Sequence, residues 1–161
     1  MSAPTRAFVG LGANLGDPRA TVEGAFDALG QIPGTRVLAR SSLYVSAPHD
    51  AAGPDYFNAV VELSTSQTGS GLLAQLQAIE NLFGRKRPYR NAPRTLDLDL
   101  LVYGDQQIST ATLTVPHPRL HERAFVLRPL AEIAPQLVIP GGLAVRDLLP
   151  QVARQRVDRM P

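Results

Sequence analysis

The residues that could do chemistry are concentrated in one stretch, Arg85 to Asp99, which reads R-K-R-P-Y-R-N-A-P-R-T-L-D-L-D. Five cations, Arg85, Lys86, Arg87, Arg90 and Arg94, follow one another without an acid, and the run turns into Leu96-Asp97-Leu98-Asp99-Leu100. That second half alternates with period two, which predicts a strand. Asp97 and Asp99 then project from one face, with Leu96, Leu98 and Leu100 on the other. Two adjacent carboxylates repel, and a cation between them relieves the repulsion. Mg²⁺ takes one or two protein carboxylates and completes its shell with phosphate oxygens. Arginine forks suit those same phosphates. A basic loop beside a paired-Asp strand therefore has the parts of a metal–nucleotide site. The spacing alone fits equally well a solvated strand face beside a solvated basic loop.

The elements that must position these residues belong to a chain of 161 residues, 44% of them hydrophobic. That length predicts one domain, 1–161, with a proper core. No apolar run approaches the ~18 residues of a membrane span. Met1 to Arg6 carries no apolar leader core, and there is no cysteine for a disulfide or a thiolate metal site. A soluble, cytoplasmic protein is expected. A net charge of +2 is too small to predict a nucleic-acid surface. Lys86 stands alone against the arginines, yet Arg85, Arg87, Arg90 and Arg94 cluster.

Ala7 to Gly12 predicts a first strand ending in glycines. Gly10, Gly12 and Gly16 fit neither the dinucleotide fingerprint nor a P-loop. Asp17-Pro18 opens a helix as cap and first residue, with Val22, Ala25, Phe26 and Leu29 as its buried stripe and Gly30 as its end. Val37, Ala39, Leu43 and Val45 predict a second strand ending at Ser46-Ala47-Pro48. His49 to Pro54 reads as a loop. Tyr56 to Thr65 predicts a third strand, with Phe57, Ala59, Val61 and Leu63 on one face and Tyr56, Asn58 and Glu62 on the other. Tyr56 and Asn58 could hold a flat heterocycle; they could equally be a half-exposed sheet surface.

Leu72, Leu73, Leu76, Ile79 and Phe83 form the strongest helical stripe, and Gly84 ends that helix. Gln77 and Glu80 lie off the stripe near the basic loop. Gly104-Asp105 predicts a hairpin turn, Leu113 to Val115 a returning strand, and Pro116-His117-Pro118 its stop. Ala124 to Leu127 is a short apolar run. Pro140-Gly141-Gly142 is a turn, Val145 to Leu149 a short helix, and the tail after Gln151 is polar. This order predicts an α+β sandwich, with helices on one face of a largely antiparallel sheet and the other face open to ligands.

Five blocks carry a family resemblance. Ala92-Pro93-Arg94-Thr95-Leu96-Asp97-Leu98-Asp99 resembles the P-R-T-(L/I)-D-(L/I)-D signature of the 6-hydroxymethyl-7,8-dihydropterin pyrophosphokinases. Gly10 to Asp17, Asp55 to Ala59, Val115 to Pro118 and Arg123 to Leu130 resemble that family's other blocks, in family order. Asn91 stands where some members have tryptophan.

The resemblance implies pyrophosphoryl transfer from ATP to a hydroxymethyl-dihydropterin in folate biosynthesis. It implies a ferredoxin-like fold, a monomer, and small-molecule substrates rather than nucleic acid or membrane. Two Mg²⁺ ions would sit on Asp97 and Asp99, with Arg85 and Arg94 joining the catalytic set. Tyr56 and Phe125 would sandwich the pterin and Asn58 would bond its edge, with Ser46, Ala47 and His49 alongside. Gln77, Glu80, Arg85, Arg87, Arg94, Leu100, His117 and Arg123 would surround ATP. The segment from Arg85 to Pro93, held by few apolar residues, is expected to order on the phosphates.

Two other classes compete. A nucleic-acid module would need stacking aromatics on adjacent strands, and only Tyr89 interleaves the basic run. A closed structural metal site would need more ligands than Asp97 and Asp99.

Overall fold

A computed structural model of the chain describes residues 3–47, 53–84 and 96–160. Strand β1 (Thr5–Ala13) leads into helix α1 (Pro18–Gly30). The Asp17 carboxylate caps that helix by accepting the Ala20 N–H at 3.1 Å, and Pro18 opens it where its missing N–H costs nothing. Val22, Ala25, Phe26 and Leu29 are its buried stripe, as their spacing predicts.

The expected single strand around 37–45 is two strands, β2 (Thr35–Arg40) and β3 (Tyr44–Ser46). Both pair with β4 (Tyr56–Thr65). The break falls at Ser41, which is 6% exposed. Its N–H donates to the Val60 carbonyl, and its hydroxyl accepts the Val60 N–H, each at 2.9 Å. A side chain thus replaces a backbone carbonyl in the ladder, and the strand cannot run straight through it.

Helix α2 (Gly69–Phe83) is capped by the Thr68 hydroxyl and ends as the Gly84 N–H bonds the Glu80 carbonyl. Next come β5 (Asp97–Tyr103), β6 (Ile108–Ser109) and β7 (Thr114–Val115). The turn at Gly104 does not send a partner strand back along β5, because β6 and β7 pair with each other in a separate ribbon. Helix α3 (Ala124–Ile133) follows, then β8 (Val138–Ile139), β9 (Leu143–Ala144), α4 (Val145–Leu148) and β10 (Val157–Arg159). Sequence spacing marks only the apolar run Ala124–Leu127 of α3, yet the helix continues through Pro129, which has no N–H for the helical ladder. Burial of Val126, Leu127 and Leu130 outweighs the lost hydrogen bond. The polar tail also contributes a strand: β10 pairs with β3, and Val157 is 3% exposed.

The main sheet is antiparallel throughout, in the order β10-β3-β4-β1-β5, with β2 also on β4. Side chains alternate between two cores. Ala7, Val9, Leu11, Val61, Leu63, Leu98 and Leu100 face α1 and α2. Phe8, Val60 and Leu101 face α3 and α4, through Leu127, Leu130 and Val145. Helices therefore lie on both faces, not on one as the element order suggests. The C-terminal third supplies the second layer, and α3 covers only part of it.

Candidate active site

The uncovered part of that second face is built on what β1 lacks. Gly10 and Gly12 alternate with the core-facing Val9 and Leu11, so they sit on the α3 side and offer no side chain. In register, Gly12 lies opposite Asn58 on β4 and opposite Asp97 on β5, while Gly10 lies opposite Asp99. Asn58 and Asp97 are thus two strands apart, roughly 10 Å by inter-strand spacing, across a bare backbone floor. A Cβ at Gly12 would reach 3.4 Å from Asn58 Oδ1. Above this floor is a cavity of about 460 Å³. Its walls include Ser46, Ala47 and Tyr56 from one side, Asp97 and Asp99 from the other, and His117, Arg123 and Phe125 from the segment entering α3.

Asn58, Asn14 and His117 are held in place by hydrogen bonds. Asn58 is 4% exposed, and its Nδ2 donates to Ser46 Oγ at 2.8 Å and to the Tyr56 carbonyl at 3.5 Å. A buried amide bonded on one side presents the rest of its edge in a fixed direction. Asn14, also in the wall, donates to the Pro54 carbonyl at 3.2 Å, tying the end of β1 to the approach to β4.

His117 is anchored by its N–H to the Leu101 carbonyl at 2.9 Å. Its Nδ1 accepts the Arg119 N–H at 3.2 Å, which leaves the proton of the neutral ring on Nε2. Nε2 lies 3.9 Å from Asp99 Oδ1. Burial lowers the pKa of His117, the attraction of Asp99 opposes this, and Arg123 and Arg119 reinforce it. Arg123 Nη1 lies 3.9 Å from Asp99 Oδ2, and its guanidinium stands 5.4 Å from the centre of the Phe125 ring. Arg123 Nε is buried with no hydrogen-bond partner among the described residues. A buried donor left so costs about 1–3 kcal/mol. An anionic oxygen entering the cavity would recover that cost.

Asp97 and Asp99 project from β5 away from the core that buries Leu98 and Leu100, as the alternation predicts. Among the described residues no three histidines, cysteines or acids converge on one point. Among the described residues the acids lining the cavity are Asp97 and Asp99, two hard carboxylates over an open floor. This pair fits a magnesium ion that takes its remaining ligands from phosphate and water.

Sequence reasoning put Ser46, Ala47, Tyr56, Asn58, Phe125, Asp97, Asp99, His117 and Arg123 in the site, and all nine line this cavity. Three other candidates among the described residues do not line the cavity. Gln77 is exposed on α2. Leu100 is 4% exposed within the α1/α2 core, so its side chain turns away from the cavity. Glu80 reaches the β5 backbone, accepting the Leu98 N–H at 2.8 Å. His49, Arg85, Arg87 and Arg94, with the whole segment from Arg85 to Pro93, fall outside the described residues. The floor glycines Gly10 and Gly12, and Asn14, escaped sequence reasoning as site residues. The usable signal was two glycines at i and i+2 on a strand whose alternate residues are apolar.

An antiparallel α+β sandwich with a small-molecule cavity on the half-covered sheet face defines the class of protein. The chain belongs to the 7,8-dihydro-6-hydroxymethylpterin-pyrophosphokinase (HPPK) family, whose model matches residues 8–135. It is 43% identical over 157 residues to the 2-amino-4-hydroxy-6-hydroxymethyldihydropteridine pyrophosphokinase of Pseudomonas aeruginosa, covering 97% of each chain. It is 45% identical to the protein of that name from Methylorubrum extorquens, over 97% of this chain and 99% of the other.

Among solved structures, an HPPK-DHPS in complex with substrates superposes at a TM-score of 0.75 with 12% identity, covering 93% of this chain. A Plasmodium falciparum HPPK-DHPS triple mutant gives 0.75 with 13% identity and 92% coverage. This chain spans 43% of the length of each of those two, and the likeness is one of fold. Among the described residues no helix is long and apolar enough to cross a membrane.

Proposed function

We propose that this protein transfers the pyrophosphoryl group of ATP to 6-hydroxymethyl-7,8-dihydropterin in folate biosynthesis. The hydroxymethyl oxygen attacks the β-phosphorus of ATP. The bond from that phosphorus to the oxygen bridging it to the α-phosphorus breaks. AMP leaves, the hydroxyl proton is released, and the pterin carries the diphosphate. The observation that carries this reading is the convergence of Asn58, Tyr56 and Phe125 with Asp97, Asp99, His117 and Arg123 on one cavity. These residues come from β4, β5 and the entry to α3, far apart in sequence. The names of the relatives above, at 43–45% identity over nearly the whole chain, supply the substrates.

Each part has a role fitted to its chemistry. Asn58, locked by Ser46, reads the hydrogen-bonding edge of the pterin, and Tyr56 and Phe125 supply flat apolar surface for its rings. Arg123 and the Nε2–H of His117 give the triphosphate donors beside Asp99. Asp97 and Asp99 would hold magnesium, two ions in the fully loaded site, and the metal would offset the charge of the triphosphate. Arg85, Arg87 and Arg94 add phosphate contacts. Transfer of this kind depends on alignment and charge compensation more than on a dedicated base. The working unit is one cytoplasmic domain, 1–161, acting as a monomer.

The deciding experiment incubates the protein with MgATP and 6-hydroxymethyl-7,8-dihydropterin and separates the nucleotides. AMP should accumulate one for one with pterin diphosphate. ADP as product, or AMP formed without pterin, would overturn the reading.

A further inference from the structure

We propose that Glu80 is a positioning residue for the Asp97–Asp99 pair, acting through the Leu98 N–H of the strand between them. This rests on the reading of that pair as the metal site. Glu80 stands in the last turn of α2, a turn with no basic residue. Negative charge gathers at a helix C-terminus, so an acid there works against the helix. Helix stability does not account for Glu80.

What the side chain does instead is grip β5. Its Oε2 accepts the Leu98 N–H at 2.8 Å. Leu98 is the residue between the two acids, and its own side chain is 5% exposed in the core. β5 ends the strand order of the main sheet, so one of its sides has no ladder partner among the described residues. An edge N–H without a partner leaves the strand free to twist. Glu80 supplies that partner at the second residue of β5. In a pleated strand the orientation of one peptide sets the directions of the side chains flanking it. Pinning the Asp97–Leu98 peptide therefore sets the direction of Asp97 directly and that of Asp99 through Leu98, one residue on.

Glu80 is not itself a ligand in this arrangement. It does not line the cavity, and no three acids or histidines among the described residues converge. It sits where an outer hydrogen-bond partner orients ligating carboxylates from behind. This role stands beside the place around ATP that the family resemblance gives Glu80.

The test compares Glu80→Ala, Glu80→Gln and Asp97→Ala with the unaltered protein. Mn²⁺ affinity is measured by electron paramagnetic resonance in the presence of α,β-methylene-ATP, and exchange of the Leu98 amide by NMR. Glu80→Ala should weaken Mn²⁺ about tenfold, the lower end for an outer-sphere partner, and speed Leu98 exchange. Glu80→Gln keeps a carbonyl oxygen for the same N–H and should stay within about twofold of the unaltered protein on both readings. Should Glu80→Ala not fold, Glu80→Met retains the volume and serves in its place.

If the folded alanine or methionine variant binds Mn²⁺ normally, the bond is helix–strand packing and the positioning role is wrong. If Glu80→Gln is as impaired as Glu80→Ala, the charge matters rather than the acceptor, and the role is equally wrong. Asp97→Ala separates the two levels of the argument. Normal Mn²⁺ binding in that variant would remove the metal site itself, and with it any reason to position the pair.

Discussion

Asp99→Asn should move two measurable quantities in opposite directions. Asp99 has one oxygen 3.9 Å from Arg123 Nη1 and the other 3.9 Å from His117 Nε2. Unit charges at that separation interact by about 4 kcal/mol at an effective dielectric of 20. The Asp99 side chain is 44% exposed, so water screens the Arg123 pair toward the ~0.2–1 kcal/mol of a surface ion pair. His117 adds little, because burial keeps its ring neutral. Asparagine keeps the shape and removes the charge. Arg123 is then released to a triphosphate, and metal-free ATP should bind up to about fivefold tighter, the equivalent of ~1 kcal/mol.

With magnesium present the other effect dominates. Half of the carboxylate pair is gone, and kcat/KM should fall at least about a hundredfold, the scale for losing a principal electrostatic group. The assay is calorimetric titration of ATP in EDTA beside initial rates in saturating MgATP. Weaker metal-free binding together with near-normal turnover would refute both the Arg123 contact and the metal assignment.

Other perturbations test other parts. Phe125→Ala should weaken pterin binding about tenfold and nucleotide binding much less, in separate titrations, because it removes ring surface and no charge. Gly12→Ala puts a methyl group on the cavity floor, 3.4 Å from Asn58 Oδ1. It should leave the melting temperature within about 4 °C while reducing pterin affinity several-fold. Tyr44, 3% exposed, has its pKa raised to about 12 by burial and by its hydrogen bond to Glu132, with Arg159 and Arg128 opposing. A raised folded pKa means stability that is complete below pH 10 and lost as pH rises toward 12. Urea unfolding of the unaltered protein should lose on the order of 2–3 kcal/mol across that window, and Tyr44→Phe should flatten the loss.

The sequence was readable wherever one residue decided a local outcome. Asp17-Pro18 started a helix, Gly84 ended one, and the Leu-Asp alternation sent two acids to the side opposite the core. It was unreadable where a distant partner decided. Ser41 breaks a strand only because the Val60 N–H lies across from its hydroxyl. Ala124–Ile133 stays helical through Pro129 because the sheet buries its neighbours. Val157 is a strand residue because β3 offers an edge. The site follows the same division. Asp97, Asp99, Tyr56 and Asn58 were marked by type and spacing, and His117, Arg123 and Phe125 only by the family resemblance, whereas Gly10 and Gly12 contribute by having no side chain, which acquires meaning only once β4 and β5 flank them.

That flanking also explains why a sheet suits this chemistry. The distance from Asn58 to Asp97 is set by two ladders through β1, each a row of backbone hydrogen bonds that side-chain motion cannot stretch. On the proposed reading, a pterin edge at Asn58 and a triphosphate at the carboxylate pair would thereby be kept at a fixed separation, with the empty glycine floor between them for the reacting atoms. The roof is different in kind. His117, Arg123 and Phe125 come from one segment, tied to the sheet by the His117 N–H to Leu101 and by the packing of α3. Floor and roof would thus divide the work in the proposed reaction: the ladders fix the distance across the cavity, and the segment entering α3 brings cation and ring to it. Misalignment of about 1 Å in such a reaction can cost a hundredfold in rate. The strand that carries Asp97 and Asp99 is an edge strand of the sheet among the described residues, a place where such slippage would begin. A single bond from Glu80 to Leu98 on that edge therefore matters more to alignment than its strength alone would indicate.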